Sequence, residues 1–135
     1  MRAKETKMPV VLVKEDESHA IRESVFVLTV MWLDENGREP EDRKKRRVRT
    51  WGWFPTLALA EESVTANHGD MYEDGYYNTA VLEEMPWGPL ATARAEHWYR
   101  ADPHWTSRSG PPDHYDVHKM AKPDSLKNVC SWGMG

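Results

Sequence analysis

Side chains that could bind a flat, polar ligand are concentrated between residues 47 and 78 of this 135-residue sequence. Tryptophan and tyrosine rings stack on nucleobases, and each stacked base contributes roughly 1–3 kcal/mol. Asparagine and aspartate orient such a ligand through hydrogen bonds, and arginine binds phosphate bidentately. The candidate ligand-binding residues are Arg47, Arg49, Trp51, Trp53, Asn67, Asp70, Tyr72, Tyr76, Tyr77 and Asn78.

The same aromatic residues could instead fill the core of a small domain, and for any single ring this alternative is favoured. It is weaker for the whole group, because Tyr72 to Asn78 is predicted to be a loop that also carries Glu73 and Asp74. A loop rich in both aromatic and acidic residues is typical of a surface that binds a ligand or a partner chain.

A basic run, Arg43 to Arg47, is the strongest electrostatic feature of the sequence. Glu39, Glu41 and Asp42 precede it, which favours a solvated hairpin end over a phosphate-binding patch. Arg47 and Arg49 are the exceptions, because both fall in a predicted strand and share one of its faces.

A metal site is suggested by His114 and His118, with Asp116 between them and Cys130 further along. Zinc needs three or four converging ligands, and two histidines four residues apart converge only on a helix. Residues 115–119 show no helical pattern, so the sequence predicts no metal site.

Acid–base catalysis could involve His97, His104 and His114 with Asp102. A catalytic group of this kind needs a nucleophile beside its base, and none is apparent in the sequence. We therefore expect no catalytic residues, no cofactor and a protein that is not an enzyme.

The elements that must position these residues begin with a helix at about 56–66. Pro55 ends the preceding strand, and the Thr56 hydroxyl is a suitable N-cap. Apolar residues recur along one stripe, and Asn67 tolerates the positive φ that ends a helix.

Strands flank this helix in the sequence. Residues 23–33 are apolar on both alternating faces, which is typical of a strand covered on both sides. Further strands are predicted at residues 9–13, 46–54, 79–84, 93–100 and 115–119, with a loop at 101–112 and a docked tail at 130–135. Together, these elements predict an α+β domain, which consists of an antiparallel sheet of about four to six strands with one main helix on one face.

Composition limits the possible functions. The length suits a single domain over 1–135 with a frayed segment at 1–7, and the net charge of −4 makes nucleic-acid binding unlikely. A single cysteine favours a reducing compartment, and no apolar run is long enough to span a membrane. These features predict a cytoplasmic protein without a membrane partner.

The segment with Trp51-Gly52-Trp53-Phe54, Ala60-Glu61, Val64, Asn67, Asp70, Tyr76-Tyr77-Asn78 and Ala80-Val81-Leu82-Glu83-Glu84 resembles small proteins of unassigned function found in phages, prophages and bacterial genomes. The similarity covers roughly a third of the chain. It implies a phage-type accessory protein, which by analogy with phage sponge proteins would counter host defence in the cytoplasm of the infected bacterium.

The residues and the resemblance together predict a homo-oligomeric binding protein that sequesters a small nucleotide-derived signal, such as a cyclic nucleotide or an ADP-ribose derivative. One alternative is an inhibitor that blocks a host defence enzyme through the loop at 72–78. A second alternative is a small hydrolase of nucleotide signals that uses His97 or His104.

Overall fold

The computed structural model describes residues 24–86, 93–105 and 110–129. They form a five-stranded antiparallel sheet with one main helix, which confirms the predicted α+β class. The elements are β1 (Ser24–Met31), β2 (Val48–Phe54), α1 (Leu57–Ala66), β3 (Thr79–Pro86), β4 (Ala95–His104) and β5 (His114–Met120). The strand order across the sheet is β2-β1-β3-β4-β5.

Strand β1 is covered on both faces, as its sequence predicted. It pairs with β2 on one side and β3 on the other. Leu28 and Val30 pack on the side of α1, whereas Met31 packs with Val81 and Leu126 on the opposite side. Because its apolar residues are needed on both faces, β1 shows a nearly continuous apolar run rather than an alternation.

Helix α1 begins and ends where its capping residues require. The Thr56 hydroxyl accepts a hydrogen bond from the Leu59 amide at 3.2 Å, and Asn67 adopts a left-handed conformation with φ 52°. Ala60 and Val64 are buried against the sheet. The predicted helix boundaries are therefore confirmed within one residue.

The predicted loop at 101–112 is wrong over its first four residues, because β4 continues to His104. Beyond Arg100, β5 is the one described strand with which β4 still pairs, since its pairing with β3 ends at Thr79 opposite Arg100. Pro103 can lie in this part of the strand because, within the described ranges, one of its edges faces no strand that needs an amide.

Some predicted features lie outside the described residues: the frayed segment 1–7, the strand at 9–13 and the tail at 130–135. In the described ranges, no helix has the length and apolar character needed to cross a membrane.

A hydrogen bond and an ion pair join α1 to strands β4 and β5. The Tyr99 hydroxyl on β4 donates to Glu61 Oε2 at 2.5 Å, and Lys119 Nζ on β5 lies 3.5 Å from the same oxygen. The hydrogen bond from Tyr99 is the main reason that the pKa of Glu61 lies below its usual value. A carboxyl whose pKa is lower in the folded state stabilises the fold above its ordinary pKa, and this contribution is lost as the pH falls through the lowered value.

We expect Tyr99→Phe to lower the free energy of unfolding by about 1–2 kcal/mol at pH 7. This is the contribution of a charge-assisted hydrogen bond, reduced because the pair is partly exposed to solvent. The loss should be smaller at pH 3 than at pH 7, because acid favours the protonated form of Glu61, for which the hydrogen bond is weaker. Urea denaturation at both pH values measures the difference, with Tyr76→Phe, at an exposed position, as the matched control. A loss of equal size at pH 7 and pH 3 would contradict the coupling.

Candidate functional site

Arg47 is fixed between two aromatic side chains just before β2. Its guanidinium carbon lies 4.2 Å from the ring centre of Tyr76 and 5.7 Å from that of Trp32. Its Nη1 also donates to the Tyr76 backbone carbonyl at 3.1 Å. Cation–π contacts near the surface contribute about 0.5–1 kcal/mol each, so these interactions together pre-order a charged group at the protein surface.

Arg49 repeats this arrangement two residues further along. Its Nη1 lies 3.0 Å from Glu73 Oε2, and its guanidinium carbon lies 5.7 Å from the ring centre of Trp51. The two arginines therefore reach the same 72–76 loop from one face of the chain. We call Trp32, Arg47, Arg49, Trp51 and Tyr76 the arginine–aromatic edge.

An open groove of about 350 Å³ adjoins this edge. It is lined by Trp32, Asp34, Pro40, Lys45 and Arg47. Small-molecule sites range from roughly 300 to 1,000 Å³, so the volume of this groove lies at the lower end of that range, and its open side lets a longer ligand extend beyond it.

Local structure fixes both walls of the groove. Asp34 Oδ1 accepts hydrogen bonds from the amides of Asn36 and Arg38, which closes the turn after β1. Lys45 ends a short 3₁₀ helix (Arg43–Lys45) whose N-cap is Asp42. The groove therefore presents one indole ring, two cations and one carboxylate.

The rest of the basic run is solvated, as the sequence favoured. Arg43 and Lys44 are exposed. Arg46 Nε donates to the Pro40 carbonyl at 2.9 Å, and its Nη1 lies 4.0 Å from Glu39. Only Lys45 and Arg47 of this run line the groove.

Two predicted ligand-binding residues, Tyr72 and Tyr77, lie in the core. Tyr72 is fully buried, and its hydroxyl donates to the Val64 carbonyl at 2.8 Å. Burial raises the pKa of Tyr72 well above its usual value. Tyr77 is 6 % exposed and packs edge-on against Tyr76. The prediction that these two side chains contact a ligand is corrected, because neither presents a ring face to solvent.

The three predicted polar residues bond to the chain itself. Asn67 Oδ1 accepts from the Tyr72 amide at 3.0 Å, and Asp70 Oδ1 accepts from Asn67 Nδ2 at 3.3 Å. The Asn78 amide forms two hydrogen bonds with the backbone of Leu33. These hydrogen bonds shape the loop that carries Tyr76, and the contact of the three side chains with a ligand stays a prediction.

Trp51 and Trp53 lie on opposite faces of the sheet, although the sequence places them in one cluster. A bulge opposite Leu28 and Thr29 puts Trp51 out of alternation, and its ring packs over Gly69 near the C-terminal end of α1. Trp53 pairs with Val27 and is 62 % exposed on the other face. The expectation that both indoles line one hollow is therefore corrected.

The groove also contains three side chains that the sequence does not single out: Trp32, Asp34 and Lys45. The apolar pattern of residues 23–33 assigns Trp32 to the strand. In the structure the strand ends at Met31, and the Trp32 ring lies half-buried beside Arg47. The signal that could have found it is the Asp34–Gly37 turn, which places Trp32 at the mouth of the β1–β2 connection.

Comparisons of the chain with protein-family models, curated proteins and solved structures find no match. Only the geometry of the arginine–aromatic edge and its groove bears on the chemistry of the site.

Proposed function

We propose that this protein is a non-enzymatic binding protein for a small, anionic, ring-containing ligand of the nucleotide class, and that the ligand occupies the groove beside Arg47. The observation that supports the proposal best is the Arg47 guanidinium, ordered between Trp32 and Tyr76 at the wall of a groove that also contains Lys45.

Each group of the groove matches one part of such a ligand. The indole of Trp32 offers a face for stacking a base. Lys45 and Arg47 offer two positive charges for phosphate, and the fork of Arg47 suits bidentate binding. Asp34 supplies an acceptor for ribose hydroxyls. Because the turn and the 3₁₀ helix already fix these groups, ligand binding has a low ordering cost.

The biological role within this proposal is the one that the sequence predicts, sequestration of a nucleotide-derived signal in the cytoplasm of the infected or host bacterium. Sequestration requires binding without turnover. A homo-oligomer belongs to the same proposal, and the exposed apolar side chains of Val48 and Trp53 on the edge strand β2 support it.

Calorimetric titration with AMP, ATP, ADP-ribose and a cyclic dinucleotide tests the proposal. We expect at least one of them to bind, and Trp32→Ala and Lys45→Ala each to weaken that binding about tenfold or more, which is a loss of about 1.4 kcal/mol. Native mass spectrometry of the same samples reports the bound mass and the subunit number together.

Two substitutions serve as matched controls. Lys44→Ala removes an exposed lysine next to Lys45, and Trp53→Ala removes an exposed indole on the other face of the sheet. Both variants should bind as the unchanged protein does. The proposal is overturned if none of the four ligands binds, or if Trp32→Ala and Lys45→Ala retain full affinity.

The two alternatives have less support from the geometry. An inhibitory surface at 72–78 would have to use chiefly Tyr76 and Asp74, since Tyr72 and Tyr77 are buried and Glu73 is paired with Arg49. A hydrolase would use His97 or His104, which lie on opposite faces of β4 and cannot act on one substrate together.

A further inference from the structure

The end of the β4–β5 hairpin carries three metal-ligating side chains on one face. The register places His104 directly opposite His114, and Asp116 is the next residue of β5 on that face. A backbone hydrogen bond of 2.8 Å from the Asp113 amide to the His104 carbonyl fixes this end of the hairpin. The arrangement lies on the face opposite the arginine–aromatic edge and is independent of the groove.

The ligand atoms of this trio are already close together. One ring nitrogen of each histidine and a carboxylate oxygen of Asp116 all lie within 4.8 Å of one another. His104 Nε2 is 2.5 Å from Asp116 Oδ2, and His114 Nε2 is 4.0 Å from Asp116 Oδ1. Asp116 therefore directs one oxygen towards each imidazole.

We propose that His104, His114 and Asp116 bind a divalent transition-metal ion of the zinc class. Zinc bonds to nitrogen and oxygen measure about 2.0–2.2 Å, so tetrahedral ligand atoms lie roughly 3.3–3.6 Å apart. The two observed separations, 2.5 and 4.0 Å, lie on either side of that value. The side chains are half-exposed or more, so small rotations can bring the atoms to coordinating distances.

The donor set selects the metal class. Imidazole nitrogen favours zinc, copper, nickel and iron over calcium and magnesium, which prefer all-oxygen sites. The cluster is more than an ion pair between His104 and Asp116, because His114 is also part of it. The imidazole rings of His104 and His114 stack in parallel with their centres 4.8 Å apart. Three protein ligands leave at least one position for water or for an external group.

The proposed ligand set differs from the pair of histidines that the sequence spacing singles out. His114 was considered together with His118, but His118 lies beside Asp102, with 3.9 Å between His118 Nδ1 and Asp102 Oδ2. The partner of His114 comes from the neighbouring strand instead. Cys130 lies outside the described residues.

Zinc titration of untagged protein in competition with a chromophoric chelator tests the proposal. We expect saturable binding that His114→Ala and Asp116→Asn each weaken at least tenfold, whereas calcium and magnesium do not compete. His68→Ala, which removes an exposed histidine outside the hairpin, should leave the affinity unchanged. All variants should keep the far-ultraviolet circular dichroism of the unchanged protein, because the substituted side chains are exposed.

Imidazole resonances in nuclear magnetic resonance spectra give a second measurement at the level of single residues. One equivalent of zinc should shift the ring signals of His104 and His114 and leave those of His68 in place. The proposal is overturned if the protein binds no zinc, if His114→Ala and Asp116→Asn bind it as well as the unchanged chain does, or if the shifted rings belong to other histidines.

Discussion

Replacing Tyr72 by alanine is expected to lower the free energy of unfolding by about 3–5 kcal/mol, the range for removing a large aromatic side chain from a packed core. Tyr72 is among the largest fully buried side chains of the described residues. It packs with Val64, Leu82 and Tyr99 in the cluster between α1 and the sheet, and its ring centre lies 5.1 Å from that of Tyr115. Alanine would leave a cavity beneath the C-terminal turn of the helix.

The hydroxyl of Tyr72 adds a second, separable contribution. It donates to the carbonyl of Val64, which lies in the last turn of α1, where carbonyls have no partner within the helix. Tyr72→Phe keeps the ring and leaves this carbonyl without its donor. We expect a loss of about 1–3 kcal/mol for the buried, unsatisfied acceptor. The difference between the alanine and phenylalanine variants then isolates the contribution of the ring.

Urea denaturation followed by circular dichroism measures these losses, with Tyr76→Ala as the matched control in the same loop. Tyr76 is 46 % exposed, so its removal, which also takes away the ring contacts with Arg47 and Tyr77, should cost clearly less than the removal of Tyr72. Tyr72→Ala and Tyr76→Ala with equal losses would contradict the placement of Tyr72 in the core. If Tyr72→Phe weakened ligand binding without any change in stability, this result would support the direct contact between Tyr72 and a ligand that the sequence predicted.

The fold could be predicted because its signals are local. Thr56 and Asn67 mark the ends of α1 by their side-chain chemistry alone, and the two-sided apolar run of β1 indicates burial on both faces. Such signals depend on only a few neighbouring residues. The end of β4 was missed because the tolerance of Pro103 depends on where β3 stops, which is a property of the whole sheet.

The site could be predicted only in part, because its composition is local but its geometry is not. Arg47, Arg49 and Tyr76 were identified from their types and lie together. The bulge that separates Trp51 from Trp53 cannot be predicted from the sequence pattern, because regular alternation along a strand would place both indoles on the same face. The extra residue of the bulge reverses the orientation of the side chains beyond it.

The loop at 72–78 posed a related problem. It has no periodicity that would assign Tyr72 to the core and Tyr76 to the surface. Two short 3₁₀ turns with left-handed residues at Asp70, Glu73 and Asp74 decide which ring points inward. The pairing of His104 with His114 likewise needs the register of a hairpin whose first strand was predicted to end at residue 100.

Asn78→Asp is expected to destabilise the protein by about 2–4 kcal/mol at pH 7, although it exchanges only a nitrogen for an oxygen. Asn78 Oδ1 accepts from the Leu33 amide at 3.0 Å, and its Nδ2 donates to the Leu33 carbonyl at 2.9 Å. Leu33 is fully buried just beyond the end of β1. An aspartate keeps the first bond but turns a carboxylate oxygen towards the Leu33 carbonyl, which leaves a buried acceptor facing a negative charge.

The penalty should decrease in acid. A carboxyl beside a carbonyl in a partly buried position has a raised pKa, because the charged form is disfavoured there. As the pH falls through that raised value, the protonated aspartate can donate to the Leu33 carbonyl and replace the lost bond. The stability of the variant relative to the unchanged protein should therefore recover between pH 7 and about pH 4.

Urea denaturation of both proteins at pH 7, 5 and 4 measures the recovery, and Asn128→Asp at an exposed position is the control. The control should change the free energy of unfolding by less than about 0.5 kcal/mol at every pH. A penalty for Asn78→Asp that does not vary with pH would mean that the side chain acts only through its shape. No penalty at all would mean that the bond pair to Leu33, and with it the fixed junction between β1 and the 72–78 loop, does not exist in solution.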